Sequence, residues 1–472
     1  VTKRGHADIT VLDEDVKSLT ATAGGSLHIR LTDDENDTVP MYVTAFTNKG
    51  KVIEVSKADI TYRALNPENA EISEEGTITP KKEGIARFEV ALNLRGRIIS
   101  TTAELTVAKG KSRSSYFTEE KREAARENTR KYEWAKTTAQ KAISKADTYA
   151  DKIDELYEMI ASNEVPRAML VGEYGDPDQY HCRYCGEDLQ IKYGTYSWII
   201  NPFARPWKIQ CPDCKRLFPS NDFGSFYKLG LNEYGEFSRE KALAENQRLI
   251  DEGFFAGTRR EKYGYLTNDL YPEVGTADCP VELNAGEDPL RWGADDGMGY
   301  MTGKVYTDQS GNVKAYERHC YIAVYMHYGV FRRNGTLGGA VMDAIINSYE
   351  AYLYTGNVKY GRCAAILLDR IADFYPDYDL SVFYKERRIF ANSDGGNKRG
   401  KILGNIWETD TASKLLRAYD AVYDLYDDPY VLNYIKGKAE TIRMRHAKET
   451  PSQIRTNLED GIVRTAFNGL TD

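Results

Sequence analysis

The sequence predicts a multidomain α+β chain: an N-terminal β-sandwich, then a helical body broken by a loop-rich, cysteine-bearing insertion. Three observations carry this. Apolar residues alternate in strand-like runs within residues 1–109, then recur at every third or fourth position in residues 118–162 and again beyond about 315. Four of the seven cysteines fall between residues 166 and 230, in a segment with neither period. The expected divisions are 1–109, 110–165, 166–230 and 231–472.

In the first division Phe88, Val90, Leu92 and Leu94 alternate with polar neighbours, as do Ala103, Leu105 and Val107. Glu75-Gly76 and Glu83-Gly84 read as turns between strands. Residues 109–115 form a polar, basic linker. Thr118 can cap a helix whose first turn carries Glu119 and Glu120, placed where negative charge suits the helix dipole. Ala135, Ala139, Ala142, Ala146, Ala150 and Ile153 form a helical stripe, so residues 118–162 read as one long helix or two. Residues 317–333, 337–355, 358–374, 411–426 and 430–447 each read as a helix. Short links such as Thr355-Gly356-Asn357 and Asp427-Asp428-Pro429 make consecutive helices antiparallel neighbours.

Composition narrows the function. A net charge of −8 and a pI near 5.6 disfavour a general nucleic-acid partner. No apolar run approaches the ~20 residues needed to cross a bilayer. The start, Val1-Thr2-Lys3-Arg4, lacks an initiator Met and reads as a processed or trimmed chain, which is compatible with export. The 34 tyrosines supply amphipathic surface of the kind that contacts sugars, although most serve as ordinary core and rim residues.

The strongest chemical signal is Cys182-Arg183-Tyr184-Cys185 with Cys211-Pro212-Asp213-Cys214. Two C-x-x-C turns separated by a 25-residue loop let four thiolates converge on Zn²⁺. Two disulfides or one redox pair are the competing reading. His181 abuts the first pair as a further potential ligand, and Arg183, Lys215 and Arg216 can offset the site's negative charge. Four protein ligands leave no open position, so such a zinc is a fold element for a segment without a core of its own. Cys279, Cys320 and Cys363 read as buried structural thiols.

Two resemblances add to this. Ala70 to Pro80, followed by Gly84 and the Ala103–Val107 strand, resembles a bacterial Ig-like module, common on exported bacterial proteins. Four segments together resemble the heparinase II/III-like family of polysaccharide lyases: Cys211 to Phe223 running on to Gly230, Ala364 to Tyr378, Trp292 to Gly297, and Gly404-Asn405-Ile406-Trp407 leading into Leu416-Arg417-Ala418-Tyr419. The resemblance spans roughly residues 116–472. It implies an incomplete (α/α) toroid followed by antiparallel β-sheet domains, so that with the other readings the expected architecture is an Ig-like β-sandwich, then an incomplete toroid carrying a zinc-ribbon-like insertion. It also implies β-elimination on uronate-containing polysaccharides: glycosaminoglycans such as heparin or heparan sulfate, hyaluronan and chondroitin first, alginate next. Family members carry an Asn and a His in a turn after the helical series, with a Tyr further on. Here Ile462 to Gly469 resembles the approach to that turn, so the resemblance implies an enzyme continuing past Asp472, and it transfers no catalytic His or Tyr.

Local candidates remain. His319 and His327 lie two helical turns apart in the expected 317–333 helix, as one wall of a cleft or as core histidines. Asn405, Trp407 and Arg417 are candidate substrate contacts: Trp for sugar stacking, Arg for a bidentate carboxylate or sulfate clamp, Asn for a hydrogen bond. Against that stand a packing Trp, a capping Asn and an Arg paired with Glu408 or Asp410. Asn468 is a further candidate or a plain turn residue. Arg443, Arg445 and His446, like Arg332-Arg333, suit helix C-termini. Asp295-Asp296 offers a glycoside hydrolase its two carboxylates, but Asp-Asp-Gly is also a turn. The expected function is therefore a secreted or cell-surface bacterial lyase with an acidic polysaccharide as its partner and no organic cofactor. A hydrolase on the same scaffold and a non-catalytic carbohydrate-binding surface protein are the alternatives.

Overall fold

The computed structural model describes residues 15–23, 28–31, 38–48, 52–53, 55–94, 96–109, 111–172, 180–182, 185–194, 197–268, 295–297, 305–307, 313–315, 319–334, 337–380, 399–442 and 448–467. The chain is of mixed helix and sheet and divides into two compact units, Val1–Ser112 and Arg113–Asp472.

The first unit holds β1 (Val16–Ala23), β2 (His28–Leu31), β3 (Val39–Thr47), β4 (Val52–Ile53), β5 (Ile60–Ala64), β6 (Ala70–Ile72), β7 (Thr77–Pro80), β8 (Gly84–Leu94) and β9 (Arg97–Lys109). One sheet runs β1-β3-β7-β6 with β4 on β3; the other runs β2-β9-β8-β5. All pairs are antiparallel except β2 with β9. The period-two pattern is visible in β8, where Ala86, Phe88, Val90 and Leu92 are wholly buried. They meet Leu105 and Val107 of their own sheet and Leu19, Met41, Ala45 and Ile78 of the other, so both sheets close on one core. Arg87 pairs with Glu104 at 2.5 Å, and Arg63 with Glu89 at 2.8 Å, on the exposed side.

The second unit opens with three helices rather than one or two: α1 (Glu119–Lys131), α2 (Glu133–Tyr149) and α3 (Ile153–Met159). Thr118 caps α1, its hydroxyl accepting from the Lys121 amide. Tyr132 breaks the run because its backbone is extended, at φ −119° and ψ 128°. The alanine stripe of α2 is buried against α8 (Ala340–Thr355, numbered after the helices between). Just before α1 the Asp420 carboxylate collects the amides of Ser115, Tyr116 and Phe117, tying the segment to the helix that carries Asp420.

Between α3 and α8 lie α4 (Leu189–Tyr193), the short strands β10 (Ile199–Ile200), β11 (Ile209–Gln210) and β12 (Leu217–Phe218), α5 (Phe223–Leu229), α6 (Arg239–Asp251) and α7 (Tyr321–Val324). Trp198, Ile209, Cys211 and Phe218 belong to the same buried cluster as the later helices, so the cysteine segment packs on the helical body instead of forming its own core. Helix α7 continues as a π-helix, Tyr325–Phe331. This element is shorter than the expected 317–333 helix and differently wound.

Helix α8 turns through Gly356 into α9 (Val358–Phe374). Then come α10 (Asn405–Val422), α11 (Pro429–Thr441) and α12 (Pro451–Leu458), the last continued by a second π-helix, Glu459–Arg464. Helix α10 begins six residues before the expected 411. Glu408, wholly inside, reaches back to accept the Leu403 amide at 2.8 Å and the Tyr375 hydroxyl at 2.5 Å, which fixes the early start. Ile462-Val463-Arg464, read as the approach to a turn, lies in the second π-helix, and the turn itself would fall outside the described residues. There Gly461 rests against the Ala372 carbonyl, where a side chain would collide with backbone. Beside it, fully buried Lys448 donates to Asp369 at 2.7 Å and Asp373 at 2.5 Å, and Asn457 donates to Asp369 at 3.0 Å.

Candidate functional site

Cys182, Cys185, Cys211 and Cys214 come together, with all four sulfurs within 4.8 Å of one another. Cys182 Sγ lies 3.7 Å from Cys214 Sγ, and Cys185 Sγ lies 3.9 Å from Cys211 Sγ. A disulfide needs about 2.05 Å, and all four are free thiols. A tetrahedral metal with bonds of about 2.3 Å separates its sulfurs by about 3.8 Å. The cluster therefore fits a metal, and the donor set suits zinc.

The two halves are built alike. The Cys182 amide donates to Glu187 O at 3.1 Å and the Gly186 amide to Cys182 O at 2.8 Å. The Cys211 amide donates to Arg216 O at 2.9 Å and the Lys215 amide to Cys211 O at 3.1 Å. Each turn closes on a left-handed residue, Gly186 at φ 69° and Lys215 at φ 62°. The Lys215 ammonium bends back onto the Pro212 carbonyl. Without a metal, hydrogen bonds to the other three thiols push the Cys182 thiol up, while the Cys182 hydrogen bond holds Cys211 down to about 2. His181 is directed to Asp188, 3.5 Å away. Arg183 lies outside the described residues. Trp198 and Phe218 pack edge to face at 6.0 Å, and Phe218 stacks on Tyr321 of α7 at 4.6 Å, which seats the cysteine turns on the helices.

A second cluster forms around His327. It lies in the first π-helix, where the Arg332 amide donates to the His327 carbonyl at 2.7 Å, five residues back. The His327 ring has no exposed surface, and neither ring nitrogen has a hydrogen-bond partner. Burial, then the Arg332 and Arg167 guanidinium groups, hold its pKa well below the usual histidine value, so the ring is neutral at pH 7. Arg332 lies 4.0 Å over the Trp407 ring and 5.5 Å over Tyr328. Arg167, 1% exposed, donates to Ile402 O and Val165 O and lies 4.2 Å over Tyr378. Burial lowers the Arg167 pKa to about 10, which leaves it charged at neutral pH.

His319 does not share the helix of His327. It precedes Cys320, the residue that caps α7, and its ring meets Tyr321 at 6.3 Å. The expected two-turn spacing on one face therefore fails, because the helix begins two residues after His319 and then widens. Arg417 is exposed and lies over Tyr116 at 5.8 Å. It is ten residues along α10 from Trp407, about 15 Å of helix, so the two do not contact the same sugar unit. Its expected ion-pair partners are engaged elsewhere, Asp410 with Lys414 and Glu408 with Tyr375. Asn405 opens α10, and its side chain lies outside the described residues, as do Asn468, Arg443, Arg445, His446, Cys279 and Trp292 to Ala294.

Asp295 accepts from the Ile322 amide at 2.8 Å and the Gly297 amide at 3.0 Å, so it serves the start of α7, and burial lifts its pKa to about 6. Asp296 receives Arg239 Nε at 2.8 Å. The two carboxylates are thus engaged in different places. Cys320 and Cys363 are buried. Arg167 is a residue that sequence reasoning passed over, and Arg332 was read only as suiting a helix C-terminus. Their signal was a cation set among apolar neighbours, Val330-Phe331 before one and Ala168-Met169-Leu170 after the other.

No family model matches this chain, and no curated protein matches it. Among solved structures, one of surface layer protein SbsC, domains 1-6, matches at 21% identity over 23% of this chain and 17% of that one, with a TM-score of 0.18. Another, of the S-layer protein SbsC domains 4 and 5, matches at 18% identity over 21% of this chain and 57% of that one, with a TM-score of 0.16. The chain thus covers less than a fifth of the first of these, and overlaps this small carry no argument about fold or activity. No helix among the described residues is long and apolar enough to cross a membrane.

Proposed function

We propose that this protein is a secreted or cell-surface bacterial polysaccharide lyase that cleaves uronate-containing chains by β-elimination. Glycosaminoglycans are the first substrate class and alginate the next. In this reading the first unit is an Ig-like module, the helices of the second belong to an incomplete (α/α) toroid, and the four cysteines hold a structural zinc.

One observation carries the reading: the neutral, buried His327, whose ring nitrogens make no hydrogen bond and which feels the charge of two guanidinium groups, one of them stacked on Trp407. A uronate carries a carboxylate beside the C5 proton that must leave. Arg332 offers that carboxylate charge and a planar fork, and Trp407 holds the fork in place. A ring nitrogen of His327 takes the C5 proton; the C5–H electron pair becomes the C4=C5 double bond; the C4–O bond breaks, its electron pair going to the leaving oxygen, which takes a proton from the His327 imidazolium or from water. The free site makes His327 a weak base. A bound carboxylate offsets the cationic field of Arg332 and Arg167 and so raises its basicity in part, while burial, the larger cause, is relieved only as the site opens. Because His327 has no exposed surface, the residues over it must open to admit a sugar.

The test is Arg332→Ala and His327→Gln, assayed by ultraviolet absorbance of the unsaturated product. Each loses about 10²–10³ in kcat/KM with its melting transition retained. Unchanged turnover in both variants sinks the assignment.

A further inference from the structure

Where α1 meets α2, two large rings stand in solvent. Tyr132 is 50% exposed and Trp134 67% exposed. Their planes lie within 17° of parallel, with centroids 6.2 Å apart. Both sit on a rigid break in the helix, so their positions are set by backbone rather than by a flexible loop.

Neither residue serves the fold there. Tyr132 occupies the N-cap of α2 and makes no side-chain cap hydrogen bond. Ser, Thr, Asp or Asn would satisfy a free amide at that position, and a tyrosine cannot. Trp134, two residues on, leaves most of its apolar area in water. Two neighbouring choices that break local rules without a compensating contact mark a functional surface. The charge around them points the same way. Residues 126–145 carry six basic and two acidic side chains on a chain whose net charge is −8. Arg130, Lys131 and Lys136 beside the rings are all exposed; Lys131 pairs with Glu127, and Lys136 lies 4.0 Å from Glu133, so the polymer's acidic groups compete with those two carboxylates.

The pair also lies apart from the His327 cluster. Arg126 of α1 donates to the Leu353 carbonyl near the C-terminal end of α8, while Lys145, late in α2, lies 3.6 Å from Asp343 in the first turn of α8. The start of α2 is therefore at the C-terminal end of α8. Arg332 is at the other end, where its carbonyl accepts the amide of Gly339, the residue that caps α8. A 16-residue helix spans about 24 Å.

We propose that Tyr132 and Trp134, rimmed by Arg130, Lys131 and Lys136, form a second binding platform for an acidic polysaccharide, separate from the His327 cluster. The rings stack on sugar faces, and the cations meet carboxylate or sulfate groups. The choice of an acidic polymer rests on the lyase reading; the binding itself does not require catalysis.

The experiment is affinity electrophoresis through gels holding heparan sulfate, hyaluronan or alginate, with uncharged dextran as control. The protein carries His327→Gln so that the polymer is not consumed. The platform predicts retardation in at least one acidic gel, about tenfold weaker binding in Tyr132→Ala/Trp134→Ala, and attenuation by salt. Arg332→Ala keeps the retardation, which separates this site from the first. Tyr132→Asn installs a cap, so it melts on the order of 1–2 °C higher while binding more weakly; a merely structural tyrosine gives no such opposition. Equal retardation of the double alanine variant, or none for the parent protein in any acidic gel, overturns the platform whether or not the protein is a lyase. So does a dimer that Trp134→Ala dissolves in sedimentation, because the rings then face a second copy.

Discussion

With zinc in the four-cysteine centre as proposed, chelation should melt one segment and spare the rest of the second unit. The sulfur separations of 3.7 and 3.9 Å bracket the roughly 3.8 Å edge of a zinc–thiolate tetrahedron. The segment's own regular structure is slight, with three strands of two residues each and an α4 of five, and apart from the metal it is held by side chains such as Trp198, Ile209 and Phe218 buried against the helices. Structural zinc contributes on the order of 10–16 kcal/mol of binding free energy at pH 7. That exceeds what Trp198, Ile209 and Phe218 supply at about 1.5–3 kcal/mol each, before chain entropy is set against them. Chelation should therefore unpack Trp198, now 7% exposed, while α8 and α9 stay folded. Two readouts follow the event: the fluorescence of Trp198, isolated by subtracting a Trp198→Phe variant, and the number of thiols open to a dye. The native protein should hide all four, and the chelated protein should release four together. Four dye-reactive thiols before chelation, in protein free of bound metal by mass spectrometry, would refute the reasoning.

Three further outcomes are expected. Lys448→Met leaves Asp369 buried without its cation, while Asp373 keeps Arg370 at 3.2 Å, which should cost about 3–5 kcal/mol; with an Asp369 carboxylate that then prefers its proton, the variant should regain stability as pH falls, read by denaturant titration. Lys215→Gly should stabilise the protein by about 0.5–1 kcal/mol, since Lys215 holds φ 62°, where a side chain costs about 1 kcal/mol; no change in the melting midpoint contradicts the matched-turn geometry. His327 has a folded pKa depressed by burial and by Arg332 and Arg167, so the unfolded chain binds its proton first. Its contribution is fully present above about pH 6.5 and is lost as pH falls, at up to about 1.4 kcal/mol per pH unit. His327→Gln should remove that part of the slope, and a parallel pH profile in the two proteins counts against a buried neutral ring.

What the sequence showed depended on the range of the interaction. The strand alternation of β8 and the alanine stripe of α2 are local periods, and both appear as buried faces. The cysteine pairs were legible because each half of the centre is one short turn. The His327 cluster was not, for two physical reasons. Arg332 and Trp407 are 75 residues apart, and only the packing of α8 and α10 brings them near. The π-helix then shifts every residue after Tyr325 off the 3.6-residue count, which misplaced the histidine pair on one face. Tyr132 shows the converse: its broken capping rule was present in the sequence, but a helix stripe continuing through Ala135 masked the break.

The most direct test of the central claim is ultraviolet absorbance during incubation of the protein with heparan sulfate, hyaluronan, chondroitin and alginate. The account predicts rising absorbance from an unsaturated uronate on at least one polymer, abolished in Arg332→Ala. New reducing ends without absorbance would mean hydrolysis, and an intact polymer that merely binds would mean a carbohydrate-binding protein; either result contradicts the lyase.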